Sequence, residues 1–317
     1  MLLARGGNGL TVGFQGIEAA FIARRARAPD LAGALAEAAR HLQGSAAGGV
    51  EAGRADGLMR AGAAIAGAMD AWCGTHAELA YHNRHHAAEA ALAMAWLCGL
   101  AQGWGLILPV QALAGVVAML GHDFLHDGSR GSDGVLEARS GAAVAALAAA
   151  AGVGAADTAV AADVILATNP ALAASNAARA AGRLPAGPFG CGHDLMRTLA
   201  NEADICASLL PRLGPRLGEA LAQEWGEHGA AGLAGASPYA GRLAFLRAVP
   251  PFSRPAEALG LQASHAACLA AYASAGAALR GKATGDAGCA GLDGLAPAAA
   301  QAAYDAAVQS ATGSGAA

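Results

Sequence analysis

The sequence predicts an all-α protein: a compact bundle of a dozen or more helices. Three observations carry that expectation. No stretch alternates apolar and polar residues long enough to make a strand, and the Val–Ile runs are short. The chain is 55 % hydrophobic but only 4 % aromatic, and much of the apolar content is alanine, the strongest helix former. Prolines fall near the edges of helical periodicity, at Pro109, Pro170, Pro185, Pro188, Pro211, Pro215, Pro238, Pro250 and Pro251, and 45 glycines are available for helix ends.

Taken in order, the periodicity places helices at roughly 16–28, 31–43, 55–72, 76–98, 107–121, 134–151, 156–168, 192–212, 214–228, 239–249, 255–279 and 296–310. The Gly-rich segment Gly44–Gly53 reads as a linker, 170–192 as a loop, 281–294 as a weak region and 312–317 as a frayed tail. The expected organisation is an N-terminal helical extension (1–55), a main domain (56–280), and a C-terminal helix with a flexible tail (281–317). The extension either packs on the main domain or serves a homodimer.

Charge and cysteine usage exclude several classes. A net charge of −4 asks for neither a nucleic acid polymer nor an anionic membrane, and Arg24-Arg25-Ala26-Arg27 reads as the coat of a solvated helix end. The six cysteines are widely spaced with no CxxC pair, which fits free thiols in a reducing cytoplasm. The N-terminus lacks an apolar signal region, so the expected location is cytoplasmic. Residues 90–121 carry no charge, yet Gln102-Gly103-Trp104-Gly105 and Pro109 interrupt them; two buried helices fit better than a membrane span.

Histidine carries the chemistry. Six of the ten histidines lie between 76 and 126: His76, His82, His85, His86, His122 and His126. On a helix His82 and His86 share a face, with His85 beside them. In GHDFLHDG, His122 and Asp123 are adjacent, with His126 one turn later. Imidazole and carboxylate are the ligands that hydrolases use for Zn, Mn, Fe or Mg. Two such clusters flanking a buried helix pair predict a metal site. Asp204, in NEADICASLL, falls on a face with Ile205, Leu209 and Leu210, while Glu202 reads as an exposed charge.

Three motifs then come into order: Tyr81-His82-Asn83-x-x-His86-Ala87-Ala88-Glu89; His122-Asp123-x-x-His126-x-Gly128; and Ala203-Asp204-Ile205. Together they resemble the catalytic domain of class I 3′,5′-cyclic nucleotide phosphodiesterases, which belong to the HD-domain metal hydrolases. Val135-Leu136-Glu137, Ile165–Asn169 and Gly241–Leu246 extend the resemblance over about 60–270. It implies a bundle with a dinuclear metal pocket that takes a small phosphodiester substrate, with two divalent ions as cofactors. His86, His122, Asp123 and Asp204 would be metal ligands, and Asp123 would bridge to the second ion. His82 would be the general acid, Glu137 and His126 would stand near its water network, and Tyr81 and Asn83 would support the site. Arg242 and Phe245 would contact the substrate.

The departures concern substrate. Arg242 stands where the family has its purine-selective glutamine, and Arg only donates hydrogen bonds. Asn169 replaces an aspartate, Arg139-Ser140 replaces two histidines, and the stretch between Gly128 and Val135 is short. Metal chemistry on a phosphodiester is therefore better supported than cyclic-nucleotide specificity. The alternatives are another HD-type enzyme (a phosphomonoesterase, or a di-iron oxygenase with His85 and His126 as extra ligands) and a non-catalytic metal- or nucleotide-binding regulator.

Overall fold

The computed structural model describes residues 5–6, 9–10, 13–45, 52–129, 133–227, 238–279 and 283–313. Its helices follow in order: α1 Phe14–Arg25, α2 Leu31–Ser45, α3 Ala52–Cys73, α4 Arg84–Gly103, α5 Pro109–Leu120, α6 Val135–Ala150, α7 Ala155–Ala167 and α8 Ala173–Ala180. Then come α9 Cys191–Ile205, α10 Gly214–Glu227, α11 Ala240–Ala248, α12 Arg254–Leu259, α13 Leu261–Ser274, α14 Gly285–Asp293 and α15 Pro297–Gly313. The fold is all-α. Among the described residues the only strand pairing is a two-residue antiparallel ladder, Arg5–Gly6 with Gly9–Leu10.

The uncharged run folds as two helices. α4 ends at Gly103 and α5 starts at Pro109, where the missing N–H is no loss at a first-turn position. Both lie in the principal core, with Leu92, Met94, Leu97, Val116, Val117 and Met119 almost fully enclosed. Among the described residues no single helix is long and apolar enough to cross a membrane.

α1 and α2 share this core through Ile17, Phe21, Leu31 and Leu35. Glu18 accepts hydrogen bonds from the Arg212 and Leu213 N–H groups at 2.6 and 3.0 Å. Arg25 grips Glu89 of α4 through Nε and Nη2 at 2.6 and 2.7 Å, with the Glu89 side chain 1 % exposed. Burial pushes the Glu89 carboxyl above its usual range, although Arg25 opposes the shift. A raised carboxyl makes its ionised form cost stability as pH rises from the unfolded value through the folded one. Arg25→Met should therefore destabilise by about 3 kcal/mol at pH 8, by stranding that charge, and by less at pH 5. Urea denaturation at both pH values checks this; an equal loss at both would contradict it.

A second, smaller core joins α11, α13, α14 and α15, with Tyr239, Tyr272 and Tyr304 packed together. It depends on one close backbone approach. A Cβ on Gly276 would lie 2.3 Å from the Ala283 carbonyl oxygen and 2.3 Å from the Gly288 Cα, and backbone cannot swing aside. Gly276→Ala should cost at least about 2 kcal/mol as overpacking. A denaturation midpoint within error of the parent would remove this account.

Several sequence expectations need correction. α4 begins at Arg84 rather than 76, because Asn83 caps it and accepts from the His86 N–H at 3.1 Å. The expected loop 170–192 contains α8, since its Ala-rich centre keeps helix propensity between Pro170 and Gly182. The helix expected over 192–212 stops at Ile205, and a 3-10 turn spans Ala207–Leu209. The helix expected over 255–279 breaks at Gly260, which has φ 87° and joins α12 to α13. The weak region 281–294 contains α14, and α15 reaches Gly313. Residues 46–51 of the expected linker lie outside the described residues.

Candidate metal centre

Three elements deliver one group of four candidate ligands. His86 sits in the first turn of α4, which Asn83 starts. His122 and Asp123 follow α5, whose end is tight: a Cβ on Gly121 would meet Val144 Cγ2 at 2.6 Å and Ile65 Cγ2 at 2.9 Å. Asp204 is on the last turn of α9. His86 Nε2 is 3.2 Å from Asp123 Oδ2 and 3.0 Å from Asp204 Oδ1. His122 Nε2 is 3.0 Å from Asp123 Oδ2 and 3.3 Å from Asp204 Oδ1. The two Nε2 atoms are 3.2 Å apart.

Those spacings fit a metal ion. Ligands about 2.1 Å from an ion are about 3.0 Å apart along an octahedral edge and about 3.4 Å along a tetrahedral one. Each of the five measured edges falls between 3.0 and 3.3 Å. His122 Nδ1 lies 2.8 Å from the Met119 carbonyl oxygen, which can only accept. Nδ1 thus carries hydrogen, and in the neutral ring the Nε2 lone pair faces the cluster. With the His122 Nε2 a lone pair, the one hydrogen that a neutral pair of rings can offer the two carboxylates is on His86 Nε2, whose Nδ1 has no hydrogen-bond partner among the described residues.

Within this group the carboxylates act on the rings directly. Burial disfavours a charged His86, but Asp123 and Asp204 outweigh it and raise its pKa to about 9. His122 is raised likewise, against its burial, by Asp123 and Asp204. Burial would raise Asp204 too, yet His122 and His86 hold it down at about 2. Asp123 is also held well below the usual range, chiefly by His122 and His82 against its burial.

A second group stands beside the first. His82, His126 and Glu224 bring ligand atoms within 4.8 Å of one another. His82 precedes the helix, so its expected shared helical face with His86 is replaced by loop geometry, with ring centroids 6.0 Å apart. Glu224 of α10, fully enclosed, determines that loop. One oxygen accepts from the Tyr81 and His82 N–H groups at 2.8 and 3.1 Å, and the other meets His82 Nδ1 at 2.5 Å. The His126 ring stacks on His82 at 3.8 Å. Leu125, at φ 67°, turns the chain to bring it there, a conformation that a non-glycine residue adopts only under tertiary constraint.

This second group is less apt for an ion than its spacing suggests. His126 Nδ1 accepts the Gly128 N–H at 3.0 Å, so the neutral ring carries its hydrogen on Nε2 and offers no lone pair there. Burial, then the His82 charge, push the His126 pKa down to about 4, which keeps that ring neutral. The group reads as a hydrogen-bonded dyad, His82 and Glu224, with a neutral donor stacked on it.

Both groups border a cavity of about 770 Å³. Tyr81, His82, Asp123, His126, Asp204, Glu137 and Phe245 line it. Tyr81 is buried, with its hydroxyl 3.0 Å from Ser208 Oγ. His86 and His122 lie behind the cavity wall, nearly enclosed. Asn83 acts as the α4 cap rather than in the lining. Arg242 is not in the lining either: it is 8 % exposed, with its guanidinium 4.6 Å from the Phe245 ring centroid. Its long side chain runs under Phe245 along α10, with Cδ 3.5 Å from a Cβ placed on Gly218. His85 joins neither group, and His76 stacks on Trp72 at 3.6 Å.

Sequence reasoning missed two acids. The carboxylate bonded to His82 is that of Glu224, while Glu137, in the first turn of α6, lines the same cavity. A signal existed: Leu217, Leu221 and Glu224 fall on one stripe of α10, an acid where a helix should be apolar. Glu202, expected to be exposed, is only 5 % exposed and accepts from Ser253 N–H and Oγ–H, each at 2.6 Å. Ser140, at one of the departures, donates to the Phe124 carbonyl at 2.6 Å and so braces the His122–His126 loop. No known family model matches the chain, and no curated protein matches it.

Proposed function

We propose that this protein is a metal-dependent phosphodiesterase that hydrolyses a 3′,5′-cyclic nucleotide or a related phosphodiester. The observation that carries the reading is the convergence of His86, His122, Asp123 and Asp204, with the two aspartates on the wall of a cavity that His82 also lines. Divalent ions there would supply an activated water and neutralise charge developing on the phosphoryl oxygens. Asp123 has the place to hold a second ion, since its carboxylate faces both the His86–His122 pair and the cavity.

The chain's own residues account for the rest. Glu224 accepts from His82 Nδ1, which directs the far nitrogen of that ring away from it and supports the ring when charged. A charged His82 can hand a proton to the leaving oxygen, and the Glu224 hold on the Tyr81 and His82 backbone keeps it in place. His126, neutral, donates from Nε2 toward water or a phosphoryl oxygen. Phe245 gives the organic part of the substrate a flat apolar wall. The di-iron oxygenase alternative gains nothing here, because His85 lies outside both groups and His126 presents a hydrogen rather than a lone pair.

The test is elemental analysis together with hydrolysis of bis(p-nitrophenyl) phosphate, cyclic AMP and cyclic GMP in added Mg²⁺ or Mn²⁺. Two metals with turnover are expected. Two irons without hydrolysis, or no metal at all, would end the proposal.

A further inference from the structure

Beside Asp204, one wall of the cavity is a stripe of α9: Thr198, Asn201, Glu202 and Ile205, spaced as one helix face. The two neutral polar residues are already satisfied. Thr198 Oγ1 donates to the Asp194 carbonyl, and Asn201 Nδ2 to the Ala167 carbonyl at 2.6 Å. Glu202 differs. The residue is 5 % exposed, and the hydrogen-bond partners of its carboxylate are the neutral N–H and O–H of Ser253. No Lys or Arg stands among the described residues of the lining. A buried carboxylate with no counter-charge is costly, and one on a cavity wall lowers that cost when a cation enters. Phe252, next to Ser253, and Trp225 and Phe245 add aromatic faces to the same cavity, the surfaces on which ammonium groups rest.

We propose that the Glu202 arm of the cavity is a subsite for an ammonium group, so that the substrate is a phosphate ester of an amino alcohol. The ester rests on the function proposed above; the ammonium subsite stands on Glu202 and the aromatic lining alone. A zwitterion of that kind would set its phosphate toward the metal centre and its cation toward Glu202, both of which border this cavity. Primary and quaternary ammonium share the chemistry, and the test separates them. A neutral purine would meet Glu202 through amino hydrogens without offsetting its charge.

The probes are choline, ethanolamine, adenosine, and 3,3-dimethyl-1-butanol as the uncharged shape-mate of choline, each at matched ionic strength. Thermal stability of the full-length protein is measured before and after metal chelation. Choline or ethanolamine at a hundred times its Kd should raise the midpoint by several degrees, on the order of the shift expected for that saturation, and the butanol should not. Glu202→Gln keeps an acceptor for the Ser253 N–H and should lower the affinity for the cation by about tenfold, the scale of a partly buried charge contact. With metal present, the same variant should lower the turnover of p-nitrophenyl phosphorylcholine relative to bis(p-nitrophenyl) phosphate by about tenfold. An equal shift from the butanol, a shift from adenosine alone, or no shift at all would overturn the subsite. If Glu202→Gln does not fold, the comparison of choline with the butanol on the parent protein decides by itself. The stability arm is read without metal, so it fails separately from the phosphodiesterase reading.

Discussion

Asp204→Ala should lose at least about a hundredfold in affinity for Mn²⁺ or Zn²⁺, more than the loss typical of a residue that only orients a ligand. Asp204 Oδ1 stands 3.0 and 3.3 Å from the Nε2 atoms of His86 and His122, so its removal opens one corner of the centre and takes away half of its carboxylates. The remaining His86, His122 and Asp123 come from α4 and the loop after α5, and their own contacts persist at 3.0 to 3.2 Å. The variant should therefore keep its fold and lose its metal and its turnover together. Gel filtration followed by elemental analysis reads the metal, and circular dichroism the fold. A folded variant that retains stoichiometric metal would remove Asp204 from the centre.

His82→Ala should do the opposite: metal content stays and turnover falls by roughly 10²–10⁴, the usual worth of a positioned proton donor. The ring acts on Asp123 through its charge and stands 6.0 Å from His86 between centroids, whereas it bonds Glu224 and stacks on His126. Glu224→Gln separates orientation from presence. The amide can still accept from the Tyr81 and His82 N–H groups, but its NH₂ faces Nδ1 and imposes the wrong hydrogen placement on the ring. In a comparable arrangement that exchange is costly because the ring is held in the wrong tautomer. Turnover should drop by at least about tenfold with metal retained. Loss of metal from His82→Ala, with activity per bound metal unchanged, would reassign the ring.

The candidate ligand residues could be read because their chemistry is written in short spacings. His82, His85 and His86 fall within five positions, and His122-Asp123-x-x-His126 repeats the theme after an uncharged run. Such residues are poor choices for a core or a plain surface, so their types alone raise the question of a ligand. Helix placement was readable for a similar reason, because α5 and α6 differ from their expected spans by only one or two residues at each end. Where the reading slipped, the deciding contact lay far along the chain. Glu224 reaches back 142 residues to hold the His82 loop out of the helix, and periodicity cannot show a bond of that range.

Arg242 and Glu202 show the same division. The sequence by itself determined that the chain is helical and that its histidines cluster with Asp123 in candidate ligand spacings, because alanine content, proline positions and clustered histidines are local properties. Only the tertiary structure decided which acid faces His82, that Arg242 runs beneath Phe245 instead of into the cavity, and that Glu202 is enclosed rather than solvated. Burial and pairing depend on which helices meet: α10 and α11 close over the Arg242 stem, and the Ser253 turn covers Glu202. A side chain's type is local, but its counter-charge and its solvent are supplied by residues distant in sequence, and those supply the chemistry.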